Sequence, residues 1–403
     1  MLKILFPKSF CHYEYSRFGA ELELFARWLL AAGYQPGAAT RRHVHRLKCI
    51  LEATASLQCG RILLEAELDG ALAFVPGALR QASTERAYRR FLKAEGRLEE
   101  TQPQGPVEQL LLRYREYLLD VRGLALATIG QHLGTIEEFL SLSAGPSQNL
   151  SALTSEHVEN FIHTLSRRVL RQTLQHKVAH LRAFLRFCGD RGETARGLER
   201  IDTPRTYRGE LPPRALDWEV IEKLLSSVAR TDYLGRRDHA ILHLMAYYGL
   251  RPSEIAALTL GAVNWKRRTL RVEQCKTRST LVLPLATQTL EILDRYLADR
   301  RPCDAVTNFL FPKARSPAGA LTSWGICDIF TKRARQSGLL LDGVSSYALR
   351  HSFAMRLLGR GVGVKTIGDL LGHHSLESTC VYLRIETDML RTVALPVPGI
   401  AGF

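Results

Sequence analysis

At 403 residues the chain is longer than one ordinary domain, so two or three are expected. Hydrophobic residues make up 46%, enough for substantial cores, which excludes a disordered tail. The formal charge of +15 points to a polyanionic partner, with nucleic acid foremost, because lysine and arginine gain affinity by releasing counterions from phosphates. The eight cysteines are scattered without a C-x-x-C pair, so neither a zinc site nor a disulfide framework is expected and they read as reduced thiols of a cytosolic protein. The apolar opening Met1 to Pro7 breaks at once into Lys8, His12, Glu14 and Arg17, too short for a signal peptide, and no run approaches a membrane span.

Along the chain, Trp28-Leu29-Leu30 followed by Gly33, Thr40 and His43 parallels Tyr117-Leu118-Leu119 followed by Gly123, Thr128 and His132. Arg90-Phe91-Leu92-Lys93 before Gly96 parallels Ala183-Phe184-Leu185-Arg186 before Gly189. Two similar helical modules in tandem are therefore expected, divided by a break from Glu99 to Pro106. In the second module, helical stripes run through Leu110, Tyr114 and Leu118, then Ile129, Ile136 and Phe139. They continue through Val158, Phe161 and Leu165 after Thr154 as N-cap, and through Val178, Leu181, Phe184 and Leu185. Arg167, Arg168, Arg171 and Lys177 decorate the last two stripes and are candidate DNA contacts with Arg278 further on, as are Arg41, Arg42, Arg46, Lys48, Arg86, Arg89 and Arg90 in the first module. From Ile201 to Arg214, Pro204, Pro212 and Pro213 interrupt a basic segment and favour an extended connector.

Beyond it, Asp217 is placed to cap a helix through Leu225, and a strongly apolar helix is expected from Asp238 to Gly249. The period then changes to two over 269–274 and 280–285, which predicts a β-hairpin with Lys276 and Arg278 near its tip. Helices resume from Thr287. The fold class expected is mainly α with a small β-sheet.

Three segments carry residues with chemistry. Gly249-Leu250-Arg251-Pro252-Ser253-Glu254 opens a helix, with Pro252 suited to its first position and Glu254 in its first turn. The apolar helix before it is expected to bury the Arg251 side chain. Tyr347-Ala348-Leu349-Arg350-His351 begins another helix. Leu371-Gly372-His373 is followed, nine residues after the histidine, by Tyr382. Two arginines, a lysine, a histidine and a late tyrosine are what attack on a phosphodiester needs. His351 reads as a structural helix residue, His374 as a solvated neighbour, Tyr247 and Tyr248 as core aromatics, and Arg356 and Arg360 as mostly a solvated helix face.

In this order and spacing, with the hairpin between them, Arg251, Lys276, Tyr347, Arg350, His373 and Tyr382 resemble the tyrosine recombinases, the phage-integrase-type site-specific recombinases, over roughly residues 106–390. The resemblance implies an N-terminal helical domain at 1–104, either a second core-binding-like module or an arm-binding one. It implies a SAM-like core-binding domain at 105–200, a linker at 201–214 and an α+β catalytic domain at 215–403, closing as a C-shaped clamp on DNA. It implies that Arg251 and Arg350 grip the scissile phosphate, Tyr382 attacks it, and Lys276 protonates the departing 5′-oxygen. Glu254 positions the cluster and His373 bonds the phosphate. Where the family most often has histidine, Tyr347 brings a phenol without charge, which implies tuned rather than lost activity. No cofactor or metal is expected. The partners implied are duplex DNA with specific sites and further copies of the chain, dimer or tetramer, with the C-terminal tail from 385 packing on a neighbouring protomer. The implied setting is the cytoplasm, at the nucleoid. Alternatives are a telomere resolvase or type IB topoisomerase, and a DNA-binding accessory factor without catalysis.

Overall fold

In a computed structural model of the chain, the residues described are 1–54, 60–76, 82–99, 105–143, 150–202, 215–274, 279–299, 307–314, 319–339, 341, 343–372 and 377–380. The linker residues 203–214 and the tail beyond 380 therefore lie outside the described residues, as do Lys276, Arg278, His373, His374 and Tyr382.

The first third contains α1 (Leu2–Leu5), α2 (Phe10–Glu14), α3 (Gly19–Ala31), α4 (Ala38–Ala53), β1 (Leu63–Leu64), α5 (Glu65–Ala73), α6 (Ala82–Ala94) and β2 (Leu98–Glu99). Then come α7 (Pro106–Glu116), which runs on through a π-helical turn at Tyr117–Val121, α8 (Leu126–Ser143), α9 (Ser155–Ser166) and α10 (Arg171–Asp190). The last part holds α11 (Trp218–Ser227), α12 (Tyr233–Tyr248), α13 (Pro252–Ala257), β3 (Val263–Asn264), β4 (Thr269–Gln274) and β5 (Ser279–Pro284). Five helices close it: α14 (Thr287–Ala298), α15 (Ser323–Gln336), α16 (Tyr347–Gly359), α17 (Val364–Leu371) and α18 (Glu377–Cys380). The chain is thus mainly helical with small sheets, as the change of period indicates.

By packing, Met1–Gly60, Phe74–Glu95 and Leu211–Phe403 group in one unit, and Arg61–Ala73 with Gly96–Glu210 in another. In the first unit, α3 buries Leu22, Phe25, Ala26 and Leu29 at helical spacing. Phe25 meets Phe91 of α6 edge-on at 5.6 Å, and the Tyr88 hydroxyl donates to the buried Glu21 carboxylate at 2.8 Å. In the second unit, β1 and β2 pair in parallel and α7 to α10 enclose a core around Tyr114, Phe139 and Phe184. Thr154 caps α9, its backbone N–H donating to His157 Nδ1 at 3.2 Å.

In the last part of the chain α12 is buried along almost its whole length, so it forms the spine against which α14 and α16 pack. Strands β3, β4 and β5 form an antiparallel sheet in that order, with Leu270 opposite Leu283 in register. The structure corrects two expectations. The apolar helix α12 starts at Tyr233, because Asp232 accepts from Gly235 N at 2.8 Å and caps it five residues earlier than expected. Asp238 instead lies mid-helix and buried, its two oxygens taking the guanidinium groups of Arg237 and Arg333. Arg356 is not simply a solvated residue: its guanidinium lies 3.5 Å from the centre of the Trp218 ring, which itself meets Tyr247 edge-on.

Two buried histidines on α12 give the fold a pH dependence. His239 is pushed down to about 4 by burial, with the Arg230 charge adding to it, and His243 to about 4 by burial and His239. Both are neutral in the folded chain near pH 7, whereas in the unfolded chain they titrate near 6.5. The unfolded state therefore binds more protons, and the stability that these groups contribute is present above pH about 6.5 and lost as pH falls toward about 4. Urea unfolding through that window is expected to show a falling midpoint, with a flatter profile in His239→Gln/His243→Gln. Equal slopes in both proteins would refute it.

Candidate active site

The site is built where the exit of α12 meets the starts of α13 and α16 and the end of α17. The chain leaves α12 at Gly249, whose φ of 62° is left-handed. A Cβ there would stand 2.6 Å from the Phe353 ring and 2.9 Å from Leu371, so only glycine permits the close approach. Leu250 is then buried, Arg251 becomes the N-cap of α13, and Pro252 takes the first helical position.

Glu254, at 3% exposure, turns back on this start. Its carboxylate accepts from the backbone N–H of Arg251 at 2.8 Å and from Arg251 Nη1 at 2.5 Å. Oε2, the oxygen that takes the Arg251 backbone N–H, also lies 3.9 Å from Arg350 Nη1. One carboxylate thus sits between two guanidinium groups, offsetting their repulsion and fixing their forks, while the cluster keeps a net positive charge. Such charge-assisted bonds are the strong and directional ones.

Arg350, on the first turn of α16, is itself 5% exposed. Its Nη1 donates to the Gly249 carbonyl at 2.6 Å and its Nη2 to the Leu371 carbonyl at 2.5 Å. It therefore ties the ends of α12 and α17 to α16. Arg251, with its side chain 14% exposed, is the more open of the pair. Tyr347 begins α16, three residues before Arg350 on the same first turn, and is 45% exposed. His351 is half-buried, and burial together with the Arg350 charge holds it below the usual histidine range, which suits a structural neutral ring.

Of the residues singled out from sequence, the structure brings together Arg251, Glu254 and Arg350, with Tyr347 on the same helix turn as Arg350. Lys276, Arg278, His373 and Tyr382 lie outside the described residues. Gln274, two residues before Lys276, is buried and accepts from Ser279 Oγ at 3.0 Å across the hairpin. Gly372, next to His373, closes α17 with a left-handed φ of 62°, and the Gln274 amide occupies the space that a Cβ there would need. Thr379, three residues before Tyr382, is 1% exposed, with its hydroxyl 2.9 Å from where a Cβ on Gly368 would stand, so α18 lies directly on α17.

Gln274 and Ser352 escaped the sequence reading. Gln274 follows Leu270 and Val272 as the third inward position of β4, and a polar residue at an inward register is the signal it offered. The Ser352 hydroxyl accepts from Leu216 N at 2.6 Å and donates to Leu216 O at 2.9 Å, holding the start of this region on α16. Among the candidate DNA contacts, Arg167 and Arg171 are exposed, whereas Arg168 and Lys177 both pair with Glu138, at 3.3 Å and 2.5 Å. Among the described residues no cluster of histidine, cysteine and carboxylate side chains could hold a metal ion, and no helix is long and apolar enough to cross a membrane.

Residues 214–388 match the phage integrase family, and residues 111–192 match the phage integrase N-terminal SAM-like domain. Among curated proteins, the chain is 34% identical over 304 residues to y4rF of Sinorhizobium fredii (strain NBRC 101917 / NGR234), named as an integrase/recombinase, covering 74% of this chain and 71% of that protein. It is 29% identical to the tyrosine recombinase XerD of Xanthomonas campestris pv. campestris, over 71% of this chain and 90% of that one. The fold is similar to that of the XerH site-specific recombinase bound to its palindromic difH substrate, with TM-score 0.58 and 16% identity over 92% of this chain and 94% of that chain. It is also similar to the Tn1549 transposon integrase in complex with a circular intermediate DNA, with TM-score 0.54 and 16% identity over 70% of this chain and 98% of that chain. With its paired arginines in place around Glu254, the chain belongs to the phage integrase family of tyrosine recombinases, enzymes that cleave and rejoin DNA.

Proposed function

We propose that this protein recombines specific duplex DNA sites through a 3′-phosphotyrosyl intermediate, in moving a genetic element. The observation that carries the reading is the Arg251–Glu254–Arg350 cluster, two guanidinium groups on either side of one buried carboxylate, with Arg350 held by the Gly249 and Leu371 carbonyls, at the meeting of α12, α13, α16 and α17. Forks fixed in this way match the non-bridging oxygens of a phosphate and stabilise the charge that builds at a pentacoordinate phosphorus.

In this reading the Tyr382 oxygen attacks the scissile phosphorus, the bond to the 5′-oxygen breaks, and that oxygen takes a proton from Lys276. The phosphotyrosyl bond retains the energy of the broken strand. A 5′-hydroxyl from the second duplex then attacks the phosphorus, releasing Tyr382 and rejoining the strand. His373 bonds the phosphate, and Tyr347, exposed on the first turn of α16, offers a phenolic hydroxyl to it. Two strands exchanged in pairs require several copies of the chain on two sites. The names of the relatives, an integrase/recombinase and a transposon integrase, support a mobile element as the DNA moved.

Nicked suicide duplexes carrying candidate site DNA provide the test. A covalent protein–DNA adduct on a denaturing gel is expected from the parent chain and none from Tyr382→Phe. Tight, site-specific binding without an adduct would overturn the reading in favour of an accessory DNA-binding role.

A further inference from the structure

We propose that the first hundred residues are a second copy of the helical module spanning α7 to α10, and that α6, with α4 beside it, holds the phosphate backbone of duplex DNA. Neither family match reaches these residues, since both begin beyond position 110. The inference rests on the recombinase reading only for the identity of the polyanion.

The copy is visible in the buried positions. Shifted by 89 residues, Phe25, Leu29, Leu47 and Ile50 fall on Tyr114, Leu118, Ile136 and Phe139, all of them buried. Shifted by 93 residues, Phe91 and Leu92 fall on Phe184 and Leu185, again all buried, as do Leu68 and Leu72 on Phe161 and Leu165. One shift thus covers α3 and α4, and the other covers α5 and α6, so the two copies differ by a single short insertion between their helix pairs. Amphipathic helices share periodicity by chance, but not a specific ring contact. Phe25 meets Phe91 edge-on at 5.6 Å and 70°, and the counterparts Tyr114 and Phe184 meet edge-on at 5.2 Å and 74°.

Charge is distributed in the same way. Helix α6 carries Arg86, Arg89, Arg90 and Lys93 against Glu85 alone, and its counterpart α10 carries four basic residues against Asp190 alone. Arg89 falls on Arg182 and Lys93 on Arg186. Helix α5 has the opposite character, three acids and no base, so positive charge is concentrated on particular helices instead of being spread over the module. Arg90 stacks over the Trp28 ring at 5.6 Å, whereas Arg86 and Lys93 are exposed on α6, and Arg41 and Arg42 on α4. Exposed long cations on helices suit phosphate oxygens, which position a duplex without reading its sequence.

The test uses the full chain and a random-sequence duplex several helical turns long, with affinity followed between about 50 and 200 mM salt. Arg86→Gln/Lys93→Gln is compared with a charge-matched control, Arg27→Gln/Arg295→Gln, at exposed positions on α3 and α14. The α6 pair is expected to make the salt slope shallower by about 1 to 2, since each lost phosphate contact removes about 0.9. The control is expected to keep the parent slope. Arg41→Gln/Arg42→Gln repeats the comparison on α4 should the α6 variant unfold. Equal slopes in the control and in whichever of these variants folds would overturn the proposal and leave this face to a protein partner. Adduct formation through Tyr382 is scored separately at saturating protein, so failure of the recombinase reading appears there and not in the slope comparison.

Discussion

Arg350→Ala is expected to lower single-turnover strand cleavage by at least about 100-fold and to destabilise the fold by about 3–5 kcal/mol. The two effects have separable origins. On the proposed function, the catalytic loss follows from removing a fixed donor to the charge of the transition state, where the low-dielectric setting makes each contact count. The stability loss follows from what the guanidinium leaves behind: the Gly249 and Leu371 carbonyls lose their donor, and Glu254 keeps only Arg251. Arg350→Lys separates the two. An ammonium keeps the charge but lacks the planar fork that reaches two carbonyls on different elements at once. Urea unfolding is therefore expected to place the lysine variant between parent and alanine, while its cleavage stays well below the parent. If Arg350→Ala cleaves within about tenfold of the parent, the assignment of this arginine to the phosphate fails.

What could be read from the sequence, and what could not, follows from the range of each signal. The start of α13 was legible because it is local: proline at the first position and glutamate in the first turn are each fixed by backbone geometry within a few residues. The long strands β4 and β5 were legible by alternation. Strands of two residues, such as Leu63–Leu64 pairing with Leu98–Glu99, are too short to show a period and depend on a partner over thirty residues away. The start of α12 was misplaced because its opening stretch from Tyr233 to Asp238 includes a glycine and charged residues that interrupt the apolar run by which the helix was read. Only the distant Arg333 shows that Asp238 is instead a buried ion-pair partner. The resemblance assigns Arg350 to the phosphate, whereas its tie between α12 and α17 rests on carbonyls more than twenty residues away in either direction.

Gly249→Ala is expected to destabilise the fold by about 3–4 kcal/mol, far more than the same change at Gly123, about 1 kcal/mol. Both glycines are left-handed, with φ of 62° and 60°, so the conformational penalty of adding a Cβ is shared. Space separates them. Nothing lies within 4 Å of a Cβ at Gly123, whereas at Gly249 the new atom meets the Phe353 ring at 2.6 Å and Leu371 at 2.9 Å. Neither neighbour can yield freely: Phe353 belongs to the helix that carries Arg350, and the carbonyl of Leu371 accepts one of Arg350's bonds. Relief of the clash must therefore move α16 or α17 relative to α12, and with them the Gly249 carbonyl that Arg350 also grips. Two residues on, Arg251 moves with the same backbone. The variant is thus expected to lose cleavage by about 100-fold or more, because ångström-scale misplacement is enough for such a loss, without any change to a residue that touches the phosphate. Gly123→Ala is expected to cleave like the parent. Matched unfolding midpoints for the two variants, or a folded Gly249→Ala with parental cleavage, would show that the junction of α12, α16 and α17 is not what holds the arginines in place.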